Sequence, residues 1–325
     1  MTLTNNALNL LKAGILSFVL ISGTAQAMLP QQERFNQWLD VLEKPLASGT
    51  NLSETSAKLL AVPLSRIAAF NLQGLGKIYS DQDKKQGRFD KMAEQLKELE
   101  DAIGAVDKWT NVGNAKEKAV AMKALQQLLK TGKWTKNGKS PRIQEIRDFV
   151  TNFDWSDTQE DQEYFAGHLL GSLHALKKTK FTFGNLETGN GLHEFRRSLR
   201  WILMKARVLN GGIQFNPEMA CTPGNFYETL LTKPIANSKY SKLETDPSGE
   251  YTCKISQCLF LSIVDVVEEI GVIKDKIEKL HNNSKSDKVP EEFKKQAEEI
   301  YESFVEHDSV GDLIEEMKTC TKDKD

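Results

Sequence analysis

Apolar residues recur at three- and four-residue steps along most of the chain, and that rhythm restricts it to helices. The pattern runs through 57–79, 89–109, 117–129, 141–153, 162–176, 192–209, 258–280 and 291–318. Each stretch is long enough for three or more helical turns. Between them lie segments such as TGKWTKNGKSP (131–141), FGNLETGNG (183–191) and NNSKSDKVP (282–290). Their Gly, Pro, Asn and Ser residues are the chemistry of turns. Only KFTF (180–183) alternates as a strand would, and it is too short to imply a sheet. The expectation is an all-α chain of antiparallel helices joined by short loops.

One internal echo bears on how those helices are grouped. LKELEDAIGAVDKWTNV (96–112) and VDVVEEIGVIKDKIEKL (264–280) both carry acids, then Ile-Gly, then an Asp. The pairs are Ile103-Gly104 with Asp107 and Ile270-Gly271 with Asp275. A glycine in mid-helix costs about 1 kcal/mol relative to alanine. Close approach of a neighbouring helix is one reason to accept that cost. The 325 residues then divide into two helical bundles related by a degenerate repeat, 28–160 and 161–325. Chance similarity between two helices is the competing explanation.

The first 28 residues read MTLTNNALNLLKAGILSFVLISGTAQAM. Lys12 precedes an apolar run from Ala13 to Ile21, and Ala25-Gln26-Ala27 follows. This is the layout of a secretory signal peptide cleaved after Ala27, with a run too short for a stable membrane anchor. No later segment is apolar enough to span a bilayer, so the expected destination is the periplasm or the exterior. Cys221, Cys253, Cys258 and Cys320 are then an even set in an oxidising compartment, and two disulfides are expected. Three pairings are possible. A metal site would need tighter spacing than Cys253 and Cys258 offer, and a nearby His pair.

The net charge of −2 gives no global attraction to nucleic acid or membrane, so any anion site must arise from local placement. Residues 177–207 hold eight Lys and Arg against Glu187 and Glu194. Residues 116–148 are similarly basic, whereas 291–325 hold twelve acids against five bases. On a helical wheel of 192–209, Arg196, Arg197, Arg200, Met204 and Arg207 all fall within roughly 60° of His193. Leu192, Phe195, Leu199, Ile202, Leu203, Ala206 and Leu209 take the other side, with Trp201 at the flank. A plain solvated face would mix signs at i,i+4 spacing, and this stripe carries no acid, Glu194 pointing elsewhere. Arginine is also suited to bidentate contact with phosphate oxygens. Three readings stand: a solvated face, a site for an external anion, and a stripe neutralised by acids from other helices.

His193-x-x-Arg196-x-x-x-Arg200 resembles the HxxRxxx[RK] signature of CHAD domains, the conserved-histidine α-helical domains. LEDAIGAVDKW and VEEIGVIKDKI are similar to the Leu-Gly-x-x-x-Asp-like element on a later helix of each half of those domains. The resemblance spans roughly residues 57 to 320 through short motifs. It implies a duplicated helical bundle that binds inorganic polyphosphate or a similar polyanion along a basic groove. Carried over residue by residue, it implicates His193, Arg196 and Arg200; the wheel adds Arg197 and Arg207. Lys177, Lys178 and Lys180 would extend the surface.

The departures from that pattern are specific. In AVPLSRIAAFNLQGLGKIY (61–79), if Arg66 matches Arg196, Pro63 stands where the histidine should be, and Lys77 is the other positive charge. Trp201 and Met204 occupy positions where the family usually has further basic residues. His193 precedes Gly271 by 78 residues and Pro63 precedes Gly104 by 41. The difference of 37 fits an insertion at 211–255 held by disulfide bonding. A one-sided groove would bind a long polyanion weakly and with strong salt dependence. The alternative is an exported scaffold or interaction protein that has lost the ligand.

Catalytic constellations are lacking. His168 and His174 lie about 120° apart on a helix, a poor arrangement for a shared metal, and read as partly exposed imidazoles of a core helix. His281 and His307 have no nucleophile beside them. Glu100, Asp101, Glu268 and Glu269 are explained as solvated helix faces. No Gly-x-Ser-x-Gly, His-Glu-x-x-His or P-loop pattern occurs. The expectation is a non-enzymatic protein without metal or cofactor.

Overall fold

The computed structural model describes residues 29–47, 52–187, 189–219, 226–238, 240–243, 252–281 and 288–321. The expected leader (1–27) and Cys221 lie outside the described residues. Six helices form the first part of the chain: α1 (Pro30–Leu46), α2 (Leu52–Leu60), α3 (Pro63–Tyr79), α4 (Arg88–Val112), α5 (Ala115–Thr131) and α6 (Pro141–Thr151). Six follow: α7 (Thr158–Lys178), α8 (Leu192–Val208), α9 (Phe226–Thr232), α10 (Gln257–Leu280), α11 (Glu291–Glu306) and α12 (Ser309–Lys318). β1 (Ile213–Phe215) and β2 (Cys253–Ile255) form a parallel pair with Ile213 opposite Cys253. Among the described residues the fold is all-α apart from this ribbon.

Local chemistry sets the boundaries. Pro63 and Pro141 open α3 and α6, where a missing N–H costs nothing. Asn114 and Asp157 cap α5 and α7 by accepting from the Glu117 and Glu160 N–H groups. Two stretches expected as single helices are broken for the same kinds of reason. Pro63 cannot continue α2, so 57–79 splits into α2 and α3. Asp308 adopts φ 44° and its carboxylate accepts from the Gly311 N–H, which ends α11 and starts α12. KFTF is not a strand; the ladder forms at 213–215 and 253–255 instead, in runs too short for alternation to reveal. α1, α9 and the start of α2 are also additions to the sequence reading.

α3 and α8 cross at the centre. α3 also packs on α1 and α4, and α8 on α7 and α10. The crossing is close because Gly74 has no side chain: a Cβ there would stand 2.3 Å from Met204 Sδ and Cε. Phe70 and Trp201 meet beside it, ring centroids 4.5 Å apart. Met204, placed on the polar side by the wheel, is therefore core, only 5% exposed.

A buried polar network fixes the far ends of the same two helices. Arg34 of α1 donates to Asp161 Oδ2 of α7 and Tyr79 Oη of α3, both at 2.6 Å, and to the Leu209 carbonyl after α8 at 3.0 Å. Tyr79 in turn donates to Asp161 Oδ1 at 2.9 Å. Arg34, Tyr79 and Asp161 are all buried, and burial holds the Tyr79 hydroxyl in its protonated form by raising its pKa.

Cys253 of β2 is bonded to Cys320 beyond α12. The bridge anchors the end of segment 211–255 to the last helix, while the ladder ties that end to its beginning. Cys258 is disulfide-bonded too. Among the described residues, no helix is long and apolar enough to cross a membrane.

Arg34→Ala should lower stability by about 3–5 kcal/mol, because Asp161 would remain buried without its counter-charge. Urea unfolding of the variant measures this. Arg34→Met with Asp161→Leu should recover most of the loss.

Candidate anion site on the central helix

Two arginines on the crossing helices occupy matching positions and meet different surroundings. Arg66 of α3 lies across Gly104 of α4, where a Cβ would stand 3.0 Å from the guanidinium. Arg196 of α8 lies across Gly271 of α10, where a Cβ would stand 2.9 Å from Nη2. The mid-helix glycines thus make room for a guanidinium of the neighbouring helix. Beyond that the two sites diverge.

Arg66 Nε donates to Glu100 at 2.7 Å and Nη1 to Asp107 at 3.1 Å. Burial works against its charge, but the two carboxylates outweigh it and raise the guanidinium pKa. Glu100, read from sequence as part of a solvated face, is thus an internal counter-ion. Glu100 and Asp107 stand four residues before and three after Gly104. The same offsets from Gly271 give Val267 and Lys274. Arg196 Nε donates instead to the Val267 carbonyl at 3.1 Å. Among the described residues no carboxylate comes within salt-bridge distance of it. Burial lowers its pKa and Arg200 lowers it further, with partial offsets from Tyr240, Asp275 and Glu268.

The rest of the stripe surrounds this point. Arg200 stacks its guanidinium 5.4 Å from the centre of the Phe70 ring, and its buried Nε makes no hydrogen bond among the described residues. His193 is half-buried with Nδ1 unbonded and Glu187 3.9 Å away. Burial lowers the imidazole pKa; Glu187 opposes this while Lys274 and Arg197 add to it. The rim is not free of acid. Glu194 approaches Arg197 at 3.6 Å, one helical turn away, where the wheel alone had it pointing elsewhere. Arg207 is half-buried.

Lys177, Lys178 and Lys180 are exposed. Lys177 pairs with Asp308 at 2.8 Å, beside Phe195 and Phe304 on the apolar side of α8, so it belongs to another surface. Lys274, which the sequence reading did not single out, acts on His193 from α10 and is itself paired with Glu278. The signal was present in the position it shares with Asp107, three residues after the glycine.

A second basic cluster lies on the flank of α8 that faces α7. Lys205 Nζ donates to Ser172 Oγ at 2.8 Å, and Ser172 Oγ donates to the His168 carbonyl at 3.0 Å. Burial, with a further contribution from Lys77, lowers the Lys205 pKa to about 8. Lys77 Nζ sits 4.3 Å from the centre of a Trp201 ring. Burial, then Lys205, lowers the His168 pKa to about 4, and its buried Nε2 has no hydrogen-bond partner among the described residues. His168 and His174 share no metal arrangement; among the described residues no cluster of His, Cys, Asp or Glu could hold a metal ion.

No family model matches the chain, and neither a curated protein nor a solved structure matches it.

His168 gives a pH test of this geometry. Its folded pKa lies below its unfolded value of about 6.5, so the unfolded chain binds the extra proton and stability falls as pH drops from 7 toward 4. The loss should be about 2 kcal/mol by pH 4.5. His168→Gln should remove that share of the acid destabilisation, read as the difference between urea midpoints at pH 7 and 4.5.

Proposed function

We propose that this is an exported, non-catalytic, CHAD-like protein that binds inorganic polyphosphate or a similar phosphate-rich polyanion on α8, through His193, Arg196, Arg197, Arg200 and Arg207. The observation that carries this reading is the contrast between Arg66 and Arg196. Both guanidiniums lie on a mid-helix glycine, but among the described residues only Arg66 has carboxylates within salt-bridge distance. At Arg196 one carboxylate position is valine and the other is lysine. A half-buried guanidinium keeps its proton at any physiological pH, so Arg196 is suited to take its counter-ion from a bound anion. The same pairing supports a duplicated bundle, with α3 and α4 corresponding to α8 and α10.

The proposed site is one-sided. Arg66 is consumed internally, and Pro63 replaces the histidine, so the first half adds little to anion binding. Export is supported by the leader-like N-terminus and by the Cys253–Cys320 bond, which persists in oxidising compartments. A second reading, a scaffold acting through protein contacts, is favoured by one feature. Leu59, Val62, Leu64 and Ile67 expose 37–55% of their surface at the junction of α2 and α3, an apolar patch of the kind that marks interaction surfaces.

Titration with inorganic polyphosphate at low and moderate salt tests the first reading. Arg196→Ala with Arg200→Ala should weaken binding about tenfold or more, the loss of charge-assisted contacts. Arg66→Ala should change it less than about twofold. Wild type and the double variant binding alike would refute the site. Because a bound anion raises the depressed His193 pKa, affinity should increase as pH falls from 7 to 5.5, and His193→Gln should flatten that dependence.

A further inference from the structure

The basic segment that follows α4 takes no part in the α8 site. From residue 118 to 144 the chain holds six lysines and Arg142, and no acid. Arg142 is spent locally, donating to Glu145 at 2.7 Å and to the Gly132 carbonyl at 3.3 Å. Ion pairs on the flanking helices, Lys97 with Asp101 and Arg147 with Asp40 and Glu43, bypass the lysines. Among the described residues, none of those six lysines has a carboxylate within salt-bridge distance.

Their placement is regular. Lys116, Lys123 and Lys130 follow one another at seven-residue steps on α5, so they share one face of the helix. Val120 lies between the first two and is 57% exposed, while Ala121, Leu125 and Leu129 bury the opposite face. Beyond the helix, Lys136 and Lys139 exchange backbone N–H···O bonds at 2.9 and 3.0 Å, across Asn137 and Gly138 at φ 51° and 74°. Residues paired in this way carry their side chains on one face of the ribbon, and like charges directly opposite one another are destabilising. The base of the turn is fixed. Trp134 is buried, its N–H donates to the Leu129 carbonyl at 3.1 Å, and the Arg142 N–H donates to the Lys133 carbonyl at 3.1 Å. Residues 136 to 139 are all exposed. A firmly seated backbone therefore displays a like-charge array whose cost falls when anions gather against it.

We propose that the outer face of α5 and the 136–139 turn dock on an anionic lipid bilayer. Three observations favour a lipid plane over a chain polyanion. The unpaired cations are lysines, compact point charges without the planar fork that grips one phosphate through two donors. They stand on a helix face and an exposed turn, a surface suited to many weak contacts with a layer of headgroups. Trp134, the one aromatic residue between 115 and 142, is buried, so no ring is offered for stacking on bases. Val120 adds an exposed apolar group among the lysines, as interfacial helices do.

Co-sedimentation with phosphatidylcholine vesicles, with and without phosphatidylglycerol, tests this. Wild type should pellet with the anionic vesicles at low salt, stay in solution with phosphatidylcholine alone, and be released as salt rises. Lys133→Gln, Lys136→Gln and Lys139→Gln together should weaken binding to the anionic vesicles about a hundredfold. All three side chains are exposed, so the triple variant should keep the wild-type urea midpoint. Arg196→Ala with Arg200→Ala should change vesicle binding less than about twofold, which separates this surface from the α8 site. Wild type failing to pellet with anionic vesicles, or the triple variant pelleting equally well, would overturn the proposal. Polyphosphate held through these three lysines by a protein that ignores vesicles would overturn it too, and assign the surface to a chain polyanion.

Discussion

Arg34 is the hinge of the architecture. A guanidinium removed from water is tolerable only when its donors meet acceptors on every side, and those acceptors come from the ends of α3 and α8 and from α7. Satisfying one side chain therefore fixes where three other elements stand. With their ends held, α3 and α8 can cross as closely as Gly74 and Met204 allow. Every basic group on α8 takes its depth from that crossing.

Within this frame the same residue type has two fates. Arg66 and Arg196 approach a neighbouring helix over a glycine at equal closeness, so geometry does not separate them. Their neighbours do. Glu100 and Asp107 close one circuit inside the chain, whereas Val267 offers a carbonyl and Lys274 a like charge. Acids do exist at the rim, Glu187 by His193 and Glu194 by Arg197. Both stand at 3.6 Å or more on partly exposed side chains, where solvent screening leaves little net attraction, while Glu278 pairs with Lys274. The stripe is thus neither a plain solvated face nor fully neutralised from within.

How much of this was legible in the sequence depends on range. The helical class and most helix bodies follow from periodicity, and the cost of glycine marks Gly104 and Gly271 as close-approach points, although an arginine side chain rather than a helix backbone fills the space. The breaks at Pro63 and Asp308 are local too, but they act on one residue and are masked by a continuing apolar rhythm. The wheel sorted α8 correctly for its apolar side and misjudged Met204, since it assumes one buried face and α8 touches α3, α7 and α10. Lys177 looked like part of the stripe by proximity in sequence, yet the turn after α7 carries it to Asp308. The Cys253–Cys320 pairing and the Arg34 network join residues 67 and 127 positions apart, contacts that no pattern along the chain encodes.

Because three helices enclose α8, none of its basic side chains is fully hydrated, and the choice between arginine and lysine then decides what each can do. A guanidinium holds its proton through partial burial and so calls for acceptors or a counter-charge. Arg196 and Arg200, facing α10 and Phe70, are under that demand. An ammonium under the same pressure can release its proton instead. At Lys205, facing α7, burial and then the nearby Lys77 lower the proton affinity, while Ser172 Oγ accepts a hydrogen bond from Nζ. The two residue types on one helix thus answer partial burial in different ways. Swapping the residue types, arginine at 205 or lysine at 196, would exchange the demand for an anion with the release of a proton.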